Sequence, residues 1–205
     1  SVLPGVRSAV CRDHSGPLVD EAFLRALDDA RNTGRGNEIV RTECGEAPSF
    51  AEEHVREACR PQAYEIRFEP DTVRVCAATA DGVRYGLQTV LQLAEQTPAG
   101  KRLPGMVVTD APELAWRGLQ LDLARGMTYR HRHVKEIVRR MAELKLNVLH
   151  LYLEGRFAFP SRREFHRAGL MTPEEARDLC RFAGKRGIVV VPQVNCLGHM
   201  ERILC

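Results

Sequence analysis

The feature that most constrains this chain is the stretch from Trp116 to His199, which reads strand, helix, strand, helix, strand with few residues to spare. Gly118 to Leu123 is a short apolar strand, Asn147 to Leu153 a second, and Ile188 to Val191 a third. Between them, Val134 to Leu144 carries Val134, Ile137, Val138, Met141 and Ala142 at helical spacing, and Thr172 to Lys185 is a second helix. Thr172, Pro173 and Glu175 predict an N-cap, a first-turn proline and a capping box, and Gly187 predicts the stop. Strands that alternate with helices on short connections require a parallel sheet, because parallel neighbours need a crossover. A barrel and an open doubly wound sheet are both built this way.

In either fold the ligand site lies at the carboxyl ends of the strands. That rule selects Asp122 and Arg125 after the first strand, Tyr152 and Glu154 after the second, and Gln193, Asn195 and His199 after the third. Acids, amides, a phenol and an imidazole converging on one rim suit a hydroxyl-rich ligand. Leu123-Ala-Arg-Gly126 lacks the glycine spacing of a phosphate loop, which disfavours nucleotides.

Upstream, Pro17 to Ala30 has the spacing of an amphipathic helix, Glu38 to Thr42 reads as a short strand, and Glu52 to Cys59 as a short helix closed by Pro61. Tyr64 to Phe68 and Val73 to Ala77 alternate apolar and polar residues around a turn, which predicts a hairpin. A helix opening at Asp81-Gly82 presents Val83, Leu87, Val90, Leu91 and Ala94, and Met106 to Thr109 is a last short strand before an Asp110-Ala-Pro112 linker. The expected organisation is therefore a small α/β domain over residues 1–111 and the strand-helix stretch over 112–205.

The net charge of +3, with both signs scattered, argues for neither nucleic acid nor an anionic membrane as partner. No apolar run is long enough to span a bilayer, and Ser-Val-Leu-Pro-Gly is not a signal-peptide start. Most of the seven cysteines, which include no CxxC pair, read as small buried hydrophobes in a reducing setting, with one disulfide left open. Together these features lean towards the cytoplasm. His131-Arg-His133 is a weak metal pair, since it lies where a loop enters a helix, and Arg130 to Lys135 reads as a solvated helix start.

Several of these segments also carry a resemblance. Trp116-Arg-Gly118 with Leu121-Asp122 and Arg125, Leu144 to Leu151, Thr172-Pro-Glu-Glu175, Arg186 to Pro192 and Gly198-His199 occur in the order found in family 20 glycoside hydrolases, the β-N-acetylhexosaminidases. Tyr85-Gly-Leu-Gln-Thr89 with Gln92-Leu93 resembles the helix of the small domain that precedes their barrel. The resemblance implies an α/β chain: a small N-terminal α/β domain followed by the first three β/α units of a (β/α)8 TIM barrel. Two departures mark a divergent branch. Leu153-Glu-Gly-Arg-Phe157 replaces the family's paired aspartates, and Leu197-Gly-His199 replaces Pro-Gly-His.

What the resemblance implies chemically is removal of terminal N-acetylhexosamine residues from glycans by substrate-assisted retaining hydrolysis. The catalytic Asp-Glu pair is expected beyond Cys205, so the chain alone is expected to be incomplete and inactive. The partner is a glycan or amino-sugar substrate; no metal or organic cofactor is implied, and oligomeric state is left open. Arg117 matches a sugar-binding arginine of the family and His199 its active-site histidine, while Glu154 is placed at the sugar by position and charge. Asp122 and Asn195 complete the expected binding set. Each has a plainer rival: an ion pair with Asp122 or Glu113 for Arg117, a backbone-bonded core histidine for His199, a solvated loop residue for Glu154, a structural ion pair for Asp122 with Arg125, and a helix cap for Asn195. The rival functions are a non-catalytic carbohydrate-binding or truncated paralogue, and a barrel glycosidase of other sugar specificity.

Overall fold

The computed structural model describes residues 39–45, 47–69, 72–97, 105–161, 169–195 and 198. The expected helix over Pro17 to Ala30 lies outside them. The chain divides into two compact units, with the boundary between Ala115 and Trp116.

In the first unit, β1 (Ile39–Cys44), β2 (Tyr64–Phe68), β3 (Thr72–Ala77) and β4 (Met106–Asp110) form one sheet in the order β1-β3-β2-β4. The hairpin of β2 and β3 is antiparallel as its alternation predicts, β4 lies antiparallel to β2, and β1 runs parallel to β3. Where one short helix was expected over Glu52 to Cys59 there are two pieces, α1 (Ser49–His54) and a 3-10 turn (Glu57–Gln62) with Pro61 inside it. The break falls at Val55 and Arg56, whose backbones are extended.

Helix α2 (Ala80–Gln96) starts from Thr79, whose hydroxyl accepts the Gly82 N–H at 3.3 Å. It lays Val83, Leu87, Val90 and Leu91 over Ile66, Val73 and Val75 of the sheet. The approach is close enough to require glycine. A Cβ on Gly82 would lie 2.7 Å from both the Ala63 carbonyl oxygen and Ala77 Cβ.

In the second unit, β5 (Gly118–Asp122), β6 (Val148–Tyr152) and β7 (Val189–Gln193) form a parallel sheet in sequence order, joined through α3 (His131–Glu143) and α4 (Pro173–Gly184). This is the arrangement with which a (β/α)8 barrel opens, with three of its strands among the described residues. Strand alternation sends Leu121, Leu149 and Leu151 into a core shared with Val134, Val138 and Met141 of α3 and Leu179 and Ala183 of α4. The predicted capping box is present: Thr172 Oγ1 accepts the Glu175 N–H at 3.1 Å, and Glu175 accepts the Thr172 N–H at 3.0 Å. Past the helix, the Ile188 N–H reaches the Ala183 carbonyl at 3.0 Å, with Gly187 at φ +71.

One expectation is corrected here. Helix α3 begins at His131, within the Arg130 to Lys135 run read as a helix start, and its first turn is not simply solvated. His131 Nε2 lies 2.6 Å and Lys135 Nζ 2.7 Å from Asp178 Oδ2 on α4, which ties the two helices together. Of the cysteines, Cys59 is buried and Cys180 exposed, and Cys44 is disulfide-bonded, within the single bridge left open by the sequence.

Candidate sugar-binding rim

The pairing register decides which side chains share a rim. Asp122, Tyr152 and Gln193 are direct partners across β5, β6 and β7, so the three strands end level. The ladder runs one residue further, with Leu123 N–H bonded to Tyr152 O and Leu153 N–H to Gln193 O, both at 3.0 Å. Because strand side chains alternate, the helix-facing leucines at 121, 151 and 153 leave Asp122 and Tyr152 on the opposite face from the helices.

Tyr152 is the hub of this rim. The amide of Asn195 donates to its hydroxyl at 2.9 Å, and the hydroxyl donates to Glu154 Oε1 at 3.3 Å. The Arg125 guanidinium sits 4.9 Å above the ring centroid, within cation–π range. Arg125 in turn donates to Asp122 Oδ2 at 2.5 Å, and Asp122 Oδ1 accepts the Ala124 N–H at 2.8 Å. The Ala124 amide, and then the Arg125 guanidinium, hold the Asp122 carboxyl below its usual range, so it is a fixed anion at neutral pH.

Glu154 follows β6 in a left-handed conformation, φ +47. A non-glycine residue there costs about 1–2 kcal/mol, and such outliers persist where the surroundings hold them. Gly155 directly after it completes the turn, closed by the Arg156 N–H on the Leu153 carbonyl at 2.7 Å. The turn carries the carboxylate past the strand end to the Tyr152 phenol.

The structure thus brings together Asp122, Glu154 and Asn195 from the expected set. Asn195, expected to cap a helix or touch sugar, is instead bonded to Tyr152. Arg117 is not brought to them. It precedes β5 at the amino end, where its Nη2 and Nε donate to the Lys145 carbonyl at 2.8 and 3.1 Å, and its own N–H bonds Asn147 Oδ1 at 2.8 Å. Neither expected ion pair, with Asp122 or Glu113, forms; the guanidinium clamps the turn between α3 and β6. His199 lies outside the described residues. The guanidinium that does reach the rim is Arg125, which sequence reasoning had reduced to a structural partner of Asp122. Tyr152 was seen at the strand end but its central role was missed. The signal available for both was register: each follows from counting along a strand whose carboxyl end is known.

The comparisons with known proteins agree with this architecture. The family model "Glycosyl hydrolase family 20, domain 2" matches residues 18–111, and "Glycosyl hydrolase family 20, catalytic domain" matches 114–205. The chain belongs to glycoside hydrolase family 20. A β-N-acetylhexosaminidase of Cellulomonas fimi is 31% identical over 92% of this chain and 41% of its own length. The β-hexosaminidase subunit beta of Entamoeba histolytica is 30% identical over 67% of this chain and 26% of its own. Among solved structures, a family 20 β-N-acetylglucosaminidase superposes with a TM-score of 0.66 at 27% identity, covering 89% of this chain and 37% of that one. A chitobiase of Flavobacterium johnsoniae reaches a TM-score of 0.69 at 24% identity over 89% of this chain and 30% of that one, a likeness of fold. The chain therefore spans well under half the length of these relatives.

Proposed function

We propose that this family 20 chain forms part of an enzyme that removes terminal N-acetylhexosamine residues from glycans, and that its own contribution is one wall of the sugar pocket. The observation that carries this reading is the linked rim of Asp122, Arg125, Tyr152, Glu154 and Asn195 at the level carboxyl ends of three parallel strands. Support comes also from relatives named β-N-acetylhexosaminidase and β-hexosaminidase. Sugar hydroxyls are both donors and acceptors, and this rim offers both kinds of partner. The Glu154 carboxylate accepts, the Arg125 guanidinium donates, and Asn195 does either. Asp122 works through Arg125, aiming the guanidinium and balancing its charge. His199 is retained in the pocket on resemblance alone.

In the substrate-assisted reaction, the acetamido oxygen bonds to the anomeric carbon as the glycosidic C–O bond breaks. The leaving oxygen takes its proton from a carboxylic acid. The residues assigned here bind and orient; none is assigned the acid. The test uses the complete protein with an aryl β-N-acetylglucosaminide and an aryl β-glucoside. Hydrolysis of the first, weakened by Glu154→Gln, is the expected outcome. Hydrolysis of the glucoside alone overturns the amino-sugar specificity, and sugar binding without hydrolysis of either substrate overturns the enzyme in favour of a binding protein.

A further inference from the structure

On the face of the barrel sheet that carries Tyr152, polar side chains continue below the rim and then stop. Two residues down, Gln120 and His150 are direct partners across β5 and β6, with Val191 beside them on β7. The next level down is Gly118, Val148 and Val189, which offers no polar side chain. Strand rise puts the Gln120 and His150 level about 6.6 Å below Tyr152, and strand spacing sets the two residues about 4.8 Å apart. Leu149 and Leu151 enter the core shared with the helices, so His150 between them faces the other way, and Gln120 beside Leu121 does the same. Gln120 is exposed and His150 half-buried. At the rim, Asp122 and Tyr152 are bonded to their neighbours; one level down, neither Gln120 nor His150 forms a hydrogen bond or ion pair among the described residues.

The interior layers of such barrels are ordinarily filled by branched apolar side chains, and a half-buried polar group without a partner carries a desolvation cost. An imidazole and an amide side by side have what one hydroxyl needs. Each offers a donor and an acceptor, so one can donate to the hydroxyl oxygen while the other accepts from its O–H. Which hydroxyl they meet rests on the proposed removal of terminal N-acetylhexosamine at this rim. The anomeric carbon stays at the rim, because the rest of the glycan is attached there. C4 lies across the ring from it, so the C4 hydroxyl is carried deepest. We propose that Gln120 and His150 form the floor of the sugar pocket and hydrogen-bond the C4 hydroxyl of the terminal amino sugar. The apolar level beneath offers a further sugar residue no partner, which confines the pocket to chain ends.

Calorimetric affinities of the complete protein for N-acetylglucosamine and its 4-deoxy and 6-deoxy analogues test this. In the parent protein the 4-deoxy sugar should bind about three- to tenfold more weakly than N-acetylglucosamine, the effect of losing a neutral hydrogen bond. His150→Phe and Gln120→Leu should each narrow that ratio, and the double variant should abolish it, while the 6-deoxy ratio keeps its parent value. A ratio between two sugars cancels any general loss of affinity in a variant. Should His150→Phe fold poorly, Gln120→Leu carries the test from an exposed position. A parent protein that binds the 4-deoxy sugar as tightly as N-acetylglucosamine overturns the floor without any variant. So does a 4-deoxy ratio that every folded variant leaves unchanged, which assigns the two side chains to contacts within the protein. A change confined to the 6-deoxy ratio overturns the choice of hydroxyl and with it the proposal as stated. In each of these cases a protein that still hydrolyses the aryl β-N-acetylglucosaminide keeps the proposed function and loses only the floor; one that neither binds N-acetylglucosamine nor hydrolyses its glycoside loses both.

Discussion

Replacing Tyr152 with Phe tests the hub of the rim with the smallest change available. The ring stays, so the stacking of Arg125 and the packing of a residue only 7% exposed are preserved. What is lost is one hydroxyl that accepts from Asn195 at 2.9 Å and donates to Glu154 at 3.3 Å. A neutral hydrogen bond contributes about 1 kcal/mol net, and one to a charged group about 1.5–3. The bond to Glu154 is long for an O–H···O contact, so about 1.5 kcal/mol is the fitting figure. That is similar to the roughly 1–2 kcal/mol strain of a left-handed residue, the conformation Glu154 adopts at φ +47. Without the phenol, Glu154 has reason to relax away from the pocket. The expected loss in affinity for N-acetylglucosamine is about 1–2.5 kcal/mol, roughly 5- to 70-fold in Kd. The assay is calorimetric binding to the complete protein for Tyr152→Phe, Glu154→Gln and the double variant. If Tyr152 acts by holding Glu154, the double variant loses less than the sum of the two, by about 1 kcal/mol. Strictly additive losses, or an unchanged Kd in Tyr152→Phe with folding intact, would refute the reasoning.

Four further outcomes follow from particular contacts. Arg117→Lys should lower the unfolding temperature by breaking the fork on the Lys145 carbonyl and leave the Kd for N-acetylglucosamine unchanged, whereas Arg125→Lys should weaken sugar binding with little effect on stability. Thr172→Ala removes the capping box and should cost about 1 kcal/mol in denaturant unfolding of the barrel unit. Gly82→Ala forces a Cβ against the Ala63 carbonyl and Ala77, and should destabilise the first unit by about 1–3 kcal/mol despite the better helix propensity of alanine. Lys135, and next His131, hold the Asp178 carboxyl down to about 2. A carboxyl depressed in the folded state gives stability that is present above its unfolded value near 4 and is lost as pH falls towards 2. Asp178→Asn should therefore flatten the acid limb of the unfolding curve between those values.

The alternation and the apolar stripes were enough to read most of the fold, because burial dictates both. Tyr64 to Phe68 against Val73 to Ala77, and the leucines of β5 and β6, leave one pairing that hides the apolar side chains. What stayed hidden depends on contacts between residues far apart in the chain. The tie of the first turn of α3 to Asp178, 47 positions from His131, is one such contact, and a helical stripe carries no trace of that partner. The short helix near Pro61 splits because two residues turn extended, which local composition did not reveal.

The case of Arg117 and Arg125 shows where resemblance and physical reading part. Resemblance favoured Arg117, yet two properties of the sequence opposed it. It precedes the first residue of its strand, at the end away from the rim, and it shares parity with Leu121 and Leu123, which point at the helices. A side chain of that parity reaches the inner face only by wrapping round the strand, and the Lys145 carbonyl offers a nearer acceptor. Arg125 escapes both constraints because it lies beyond the strand end, where alternation no longer binds the chain. Asp122 lies on the inner face at the last position of β5, and three residues on Arg125 turns back to it and over Tyr152. An arginine is useful at a sugar rim only if something fixes its fork, and here an acid and an aromatic face do so together. On the reading proposed above, Asp122 belongs to the rim without needing to touch sugar: removing its charge would release the Arg125 fork, whose side chain is already 62% exposed, from its place over the Tyr152 ring.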